Sequence, residues 1–314
     1  MLSRLRAIPC VSVSENAPLS ACTRFEIGGP ARFLIDVGAE EALPPVLAEL
    51  HSSKVPFVLV GGGTNLIVSD AGFQGAILRY RAPRIDCSGA TVRVETGAVL
   101  QDLVDFSIGR GLRGLETMTG IPGWVGGAVY GNAGAYGHSI NERVEFVRFF
   151  DGSEFCEVGN AACEFAYRES VFKRHKDWLV TSVTLRLDPA DSADLRATAA
   201  GIRKIRDEKY PPSMRCAGSI FKNLILAQLP DSVRAQVPAR VIREGKVPSA
   251  YFLESVGAKG TSRGAIRVAD YHANLIYNEG GGTSAELRQL IAELKSRVSN
   301  RFGLELEEEV QYVP

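Results

Sequence analysis

The chain has 314 residues, enough for two or three packed units. Hydrophobic residues make up 45% and charged residues 23%, which excludes a disordered or collagen-like chain. Lys plus Arg and Asp plus Glu both total 36, so the basic excess of a nucleic-acid binder is missing and nucleic acid is excluded as a partner. The six cysteines form no CxxC pair and the four histidines no HxxxH pair, so no metal site is expected and the thiols are read as free. No apolar run reaches the ~18 residues of a membrane span, and the first residues lack a signal-peptide core. The expected location is therefore the cytoplasm.

In chain order, an apolar stretch at Phe33–Val37 precedes a segment with Leu43, Val46, Leu47 and Leu50 at helical spacing. A short buried strand at Pro56–Val60 runs into Gly61-Gly62-Gly63-Thr64-Asn65, and a second apolar run, Leu66–Val68, follows. Strands are expected at Gly75–Tyr80 and Thr91–Glu95, then a helix bearing Leu100, Leu103, Val104, Ser107 and Ile108. Residues 111–137 carry glycine after glycine with little helical or strand period, and a loop this long is usually functional or disordered. Trp124, Tyr130 and Tyr136 argue against disorder. Val144–Phe150 and Glu154–Val158 read as a hairpin around Asp151-Gly152, and Leu179–Leu187 as an alternating strand. Pro and Asp interrupt the pattern near 187–195, before a helix over about 192–208. Thr283 to Glu286 is a capping box opening a helix with a Leu287, Leu290, Ile291, Leu294, Val298 stripe; Gly303 stops it, and Leu304–Val313 is read as a closing strand.

The glycines carry the functional information. There are 32, about a tenth of the chain against a usual ~7%. A strand–GGGTN–strand bend offers bare backbone N–H groups for an anion, with no Cβ to block a phosphate. It fits neither a P-loop nor a dinucleotide fingerprint followed by a helix. The second segment, Thr119 to Gly137, supplies many more close-approach positions. Two such segments suggest one extended ligand containing a pyrophosphate, which a dinucleotide such as FAD satisfies. The other reading of the same residues is a pair of structural loops.

GGGTN, TGIPGWVGGAVYGNAGAYG, AYRESVF, CAGSIFKN and a terminal ELEEEV, in this order and spacing, resemble the UDP-N-acetylenolpyruvoylglucosamine reductase family of flavoenzymes. The similarity runs from about Thr23 to the end. It implies an α+β fold: an FAD-binding domain of the vanillyl-alcohol-oxidase (PCMH) type in two lobes, at residues 1–80 and 81–190, and an α+β substrate-binding domain at 191–314. It also implies the chemistry: NADPH reduces non-covalently held FAD, and the flavin reduces the enolpyruvyl ether of UDP-N-acetylglucosamine to UDP-N-acetylmuramate, a peptidoglycan precursor. A monomer without membrane insertion is expected.

Carried residue by residue, the resemblance places FAD against Gly61, Gly62, Gly63, Thr64, Asn65 and Leu66, and against Thr119, Gly120, Ile121, Pro122, Gly126, Gly127, Ala128, Asn132, Ala133 and Gly134. Arg168 becomes the stabiliser of the enolate-like charge, for which a forked, permanently protonated guanidinium is suited. Ser219 becomes the proton donor. Glu309 would orient the enolpyruvyl group; strand alternation puts Glu307 on its face and turns Glu308 away. Tyr167, Lys222 and Asn223 would touch substrate. Each has a plainer reading: a surface salt-bridge Arg, a turn Ser, a packed Tyr, solvated loop residues, a charged strand edge. His272 reads as structural, and Lys259 stays undecided. Thr64 stands where the family often has serine, Gln311 where an arginine often follows the glutamate, and the third domain lacks room for an inserted tyrosine-bearing loop. An FAD-dependent oxidase and a silent paralogue are the competing functions.

Overall fold

A computed structural model describes residues 1–313. The chain forms two compact units. The first comprises Met1–Ala17, Ala31–Gly63 and Gln74–Pro212; the second comprises Pro18–Pro30, Thr64–Phe73 and Ser213 onward. The helix Ser192–Lys209, read as opening the third domain at residue 191, buries Leu195 and Ala199 in the core of the first unit, and the division falls after Pro212.

The first unit holds two sheets, as the two-lobe reading expects. One has the order Val11–Pro18, Pro30–Val37, Phe73–Tyr80, Phe57–Leu59, with the last pair parallel. The helix Leu43–Ser52 covers it with Leu43, Val46, Leu47 and Leu50, the four positions marked by helical spacing. The other sheet has the order Phe155–Gly159, Val144–Phe150, Leu179–Arg186, Thr91–Glu95, Ile85–Ser88, all antiparallel. The expected hairpin is its edge pair. Its central strand does not alternate as its sequence suggests: Thr181 and Ser182 are buried along with Leu179, Val180 and Val183, because both faces are covered. Thr181 Oγ1 meets that burial by donating to Glu40 Oε1 at 2.5 Å. The helix Leu100–Gly109 packs its predicted stripe on this second core.

In the second unit the helix Ser284–Phe302 has the capping box, and Leu287, Leu290, Ile291, Leu294 and Val298 are buried. Its other orphan N–H groups are taken by a residue no local pattern marks. Asp70 accepts from Ser284 N at 2.7 Å, Ala285 N at 3.0 Å and Ser284 Oγ at 2.9 Å. The closing strand is a correction: only Gln311–Val313 is regular, and it pairs in parallel with Leu66–Val68. Just before it, Lys222 N–H donates to Glu307 C=O at 2.9 Å and Glu309 N–H to Ile220 C=O at 2.7 Å. The chain changes partner between 309 and 311, and a strand cannot stay continuous through that change.

Removing the Asp70 carboxylate leaves two helix N–H groups without their partner, so Asp70→Ala should cost about 2 kcal/mol of stability in urea unfolding. A loss below about 0.5 kcal/mol would mean that the capping box alone satisfies this helix end.

Candidate active site

The two glycine-rich segments meet in the first unit. A Cβ on Gly61 would find only the Gly127 nitrogen, at 3.8 Å, and one on Gly127 would find nothing within 4 Å. These two glycines therefore present bare backbone to open space from two loops distant in sequence. Their neighbours are packed on protein instead: a Cβ on Gly62 would lie 3.1 Å from Trp124 Cδ1, one on Gly126 3.1 Å from Thr96 Cβ, and one on Gly134 2.5 Å from the His138 carbonyl. Gly63 and Gly120 adopt φ of +68° and +78°, the left-handed region that side chains resist. The expected cofactor glycines thus divide into two that face open space and five that let the loops close up or turn.

Trp124 is what brings the loops together. Arg79 and Arg81 stack over its ring at 5.8 and 5.6 Å from the centroid, and Asp36 fixes both guanidiniums, gripping Arg79 through Nε at 2.6 Å and Nη2 at 2.7 Å. A stacked cation contributes about 0.5–1 kcal/mol at such a site, so the pair orders the segment without a regular element. The segment also contains a short helix, Val125–Tyr130, that its glycine content hid. Val125 and Gly126 N–H groups donate to Ala98 and Thr96 carbonyls at 2.9 and 3.0 Å, and Gly120 N–H to Gln101 Oε1 at 2.8 Å.

Several other expected cofactor residues are built into the protein. Ile121 packs on the core and Ala128 is buried; Ala133 N–H donates to Ala128 C=O at 2.8 Å. Leu66 pairs with Gln311. Asn132, 5% exposed, donates through Nδ2 to the Ala166 carbonyl at 2.8 Å. Thr119 is different: it is 3% exposed, and its Oγ1 is one of the few buried polar side-chain atoms without a hydrogen-bond partner among the described residues. A polar atom so placed fits an acceptor-rich ligand. The open faces of Gly61 and Gly127 fit one that must approach backbone closely, and together these residues fit FAD.

Asn132 also holds the turn that carries Arg168. Ala166 and Glu169 exchange both backbone bonds, at 3.0 and 3.1 Å, with Tyr167 and Arg168 between them. Arg168 has φ +59°, a conformation that costs a non-glycine residue about 1 kcal/mol and persists where surroundings enforce it. Its Nη2 donates to Gly134 C=O at 2.9 Å, its guanidinium lies 5.2 Å from the Tyr167 ring centroid, and Lys173 Nζ donates to its carbonyl at 2.9 Å. The second glycine segment and the Arg168 turn form one construction.

Ser219, Lys222 and Glu309 belong to the second unit. Ser219 bridges Leu275, and the bond from Glu309 N–H to Ile220 C=O puts residues 89 positions apart on adjoining backbones. Glu307 and Glu308 each have a side-chain partner. Lys222, 7% exposed, gives its Nζ to Glu307 at 2.5 Å, and Glu308 binds Lys295 Nζ at 2.8 Å and the Tyr312 hydroxyl. Asn65 is not confined to the ligand side: its Nδ2 donates to the Glu309 carbonyl at 2.9 Å and its own carbonyl accepts from Gln311 N–H at 2.9 Å. Asn223 follows on the same segment, half-buried. Burial pushes the Cys216 thiol up, so this neighbour of Ser219 offers no reactive thiolate. His272 Nδ1 accepts from Asn274 N–H at 3.2 Å, in keeping with a structural histidine, and Lys259 pairs with Glu254 at 3.0 Å.

Against known families, residues 210–313 match the UDP-N-acetylenolpyruvoylglucosamine reductase C-terminal domain, and residues 31–154 match an FAD binding domain. The chain is 58% identical to the UDP-N-acetylenolpyruvoylglucosamine reductase of Solibacter usitatus, over 99% of both chains. It is 34% identical to that of Rubrobacter xylanophilus, over 98% of this chain and 97% of the relative. The crystal structure of the reductase from Thermus caldophilus superposes with a TM-score of 0.74 at 27% identity, covering 97% of this chain and 99% of the other.

Two outcomes test this geometry. Gly127→Val clashes with no protein atom within 4 Å of its Cβ, so the purified protein should stay folded and lose its flavin, read from the visible absorbance; a fully loaded variant would move the cofactor elsewhere. Arg168→Gly trades relief of the left-handed strain against the side chain's contacts, the Gly134 carbonyl and the Tyr167 ring among them, and should unfold within about 1 kcal/mol of the parent. A loss of about 3 kcal/mol would make Arg168 a structural residue.

Proposed function

Because the chain belongs to the UDP-N-acetylenolpyruvoylglucosamine reductase family of FAD-dependent oxidoreductases, we propose that it reduces UDP-N-acetylglucosamine enolpyruvate to UDP-N-acetylmuramate with NADPH as reductant. When bound, FAD supplies the two-electron chemistry, accepting a hydride from the nicotinamide and passing it to the enolpyruvyl β-carbon. What remains for the polypeptide is to bind the substrate, stabilise charge and move one proton.

Hydride addition at the β-carbon drives negative charge through the α-carbon into the neighbouring carboxylate. Arg168 meets that charge with a guanidinium that cannot lose its proton, held in advance by the Gly134 carbonyl and the Tyr167 ring. Ser219 Oγ then gives its proton to the α-carbon. Glu309 orients the enolpyruvyl group, and Lys222, buried and paired with Glu307, contacts substrate three residues on from the serine. Tyr167 and Asn223 complete the substrate contacts. The observation that carries this reading is the Glu309–Ile220 backbone bond of 2.7 Å, which makes the expected proton donor and the expected glutamate neighbours on adjoining backbones. An oxidase would need a base beside a carbinol carbon. A hydroxyl donor suits protonation of an enolate better.

Ser219→Ala separates the two halves of the reaction. Anaerobic stopped-flow should show flavin reduction by NADPH nearly unchanged and reoxidation by the enolpyruvyl substrate slowed by about 10²–10⁴-fold. Equal loss in both halves would refute the proton-donor role.

A further inference from the structure

Consecutive N–H groups of a regular strand point to opposite edges. At Ile220 and Phe221 they do not. Ile220 N–H donates to the Asn274 carbonyl at 3.1 Å, and Phe221 N–H donates to the Asn274 side-chain Oδ1 at 2.9 Å, so both face one residue. The same side chain returns a bond: its Nδ2 donates to Phe221 C=O at 2.9 Å and to Ser249 Oγ at 2.7 Å. On the other edge, Ile220 C=O accepts from Glu309 N–H and Lys222 N–H donates to Glu307 C=O. This is a bulge, and the Asn274 amide stands in for the missing strand partner by pairing both backbone groups of Phe221.

The arrangement is sealed. Asn274 is 2% exposed, Phe221 1% and Ser249 0%. Water cannot replace a lost partner there, so the bulge depends on the amide having both an acceptor and a donor end. Bulges re-aim the side chains around them. Ser219 lies one residue before this one and Lys222 one residue after it.

We propose that Asn274 is a positioning residue for proton transfer: it holds the Ile220–Phe221 bulge and thereby sets where Ser219 Oγ and Lys222 Nζ point. The proposal rests on the reading of Ser219 as proton donor.

The test is Asn274→Asp in the flavin-loaded protein. An ionised carboxylate still accepts from Phe221 N–H but faces the Phe221 carbonyl with no proton to give. A protonated carboxyl restores that donor. Misplacing the proton donor should slow the second half-reaction by about 100-fold at high pH, since an ångström of displacement costs that much. The deficit relative to the parent should shrink as pH falls from about 8 to about 5.5, where a buried carboxyl takes up its proton. Flavin reduction by NADPH should change less than about twofold. Measuring the parent at each pH removes any contribution from His272, whose Nδ1 accepts from Asn274 N–H.

Hydrogen exchange gives a readout independent of turnover: in Asn274→Asp at high pH, protection should fall in the peptide spanning residues 219–223 and persist in the helix Ser284–Phe302. Ser249→Ala removes the Ser249 Oγ bond to the Phe221 carbonyl at 3.3 Å but keeps both Asn274–Phe221 bonds, and should leave the second half-reaction within about threefold of the parent. Equal loss in both half-reactions, a pH-independent deficit, or Ser249→Ala as damaging as Asn274→Asp would each overturn the proposal. If Asn274→Asp does not fold, hydrogen exchange on Asn274→Ser decides, with unchanged protection at 219–223 overturning it. A silent Ser219→Ala would instead defeat the functional reading beneath it.

Discussion

The backbone of residues 307–313 is the tie on which the second unit depends. Its first part is bonded to Ile220 and Lys222, its last part pairs with Leu66–Val68, and the Asn65 amide spans the change of partner by reaching the Glu309 carbonyl. Three stretches far apart in sequence are therefore held in fixed register by main-chain bonds. Side chains borne on such a frame inherit its precision, since paired backbones leave little freedom beyond χ angles. Glu309 gains its place this way. Glu308 and Glu307, one and two residues before it along the frame, are committed to Lys295 and Lys222.

The first unit solves a different problem. A glycine-rich segment must come close to a ligand yet keep one shape, although glycine loses more backbone freedom on ordering than any other residue. The solution is a single large anchor. Trp124, under two guanidiniums held by Asp36, fixes one loop against Gly62 of the other, while Asn132 and the Gly134 carbonyl grip the turn bearing Arg168. The left-handed backbone of Arg168 is what that grip sustains.

How much of this the sequence made legible follows from the range of each interaction. Helical periodicity and the Thr283 capping box are local, and the helices over Leu43–Ser52 and Ser284–Phe302 sit where they point. The hairpin at Asp151-Gly152 is local too. The Val125–Tyr130 helix was hidden because glycine opposes helix formation, and packing against Ala98 and Thr96 overrides it. The division after Pro212, the partner change near residue 310 and the Asp70 cap on a helix 214 positions later arise from pairings that no window of sequence contains. Family resemblance marked Arg168, Ser219 and Glu309, but not Asn274 or Asp36, whose side chains work only through residues distant in the chain.

The most direct measurement is anaerobic oxidation of NADPH by the purified, flavin-loaded protein with and without UDP-N-acetylglucosamine enolpyruvate. The account predicts sustained oxidation only when the enolpyruvyl substrate is present, with UDP-N-acetylmuramate formed in equal amount. Bound flavin with no dependence on that substrate would contradict it.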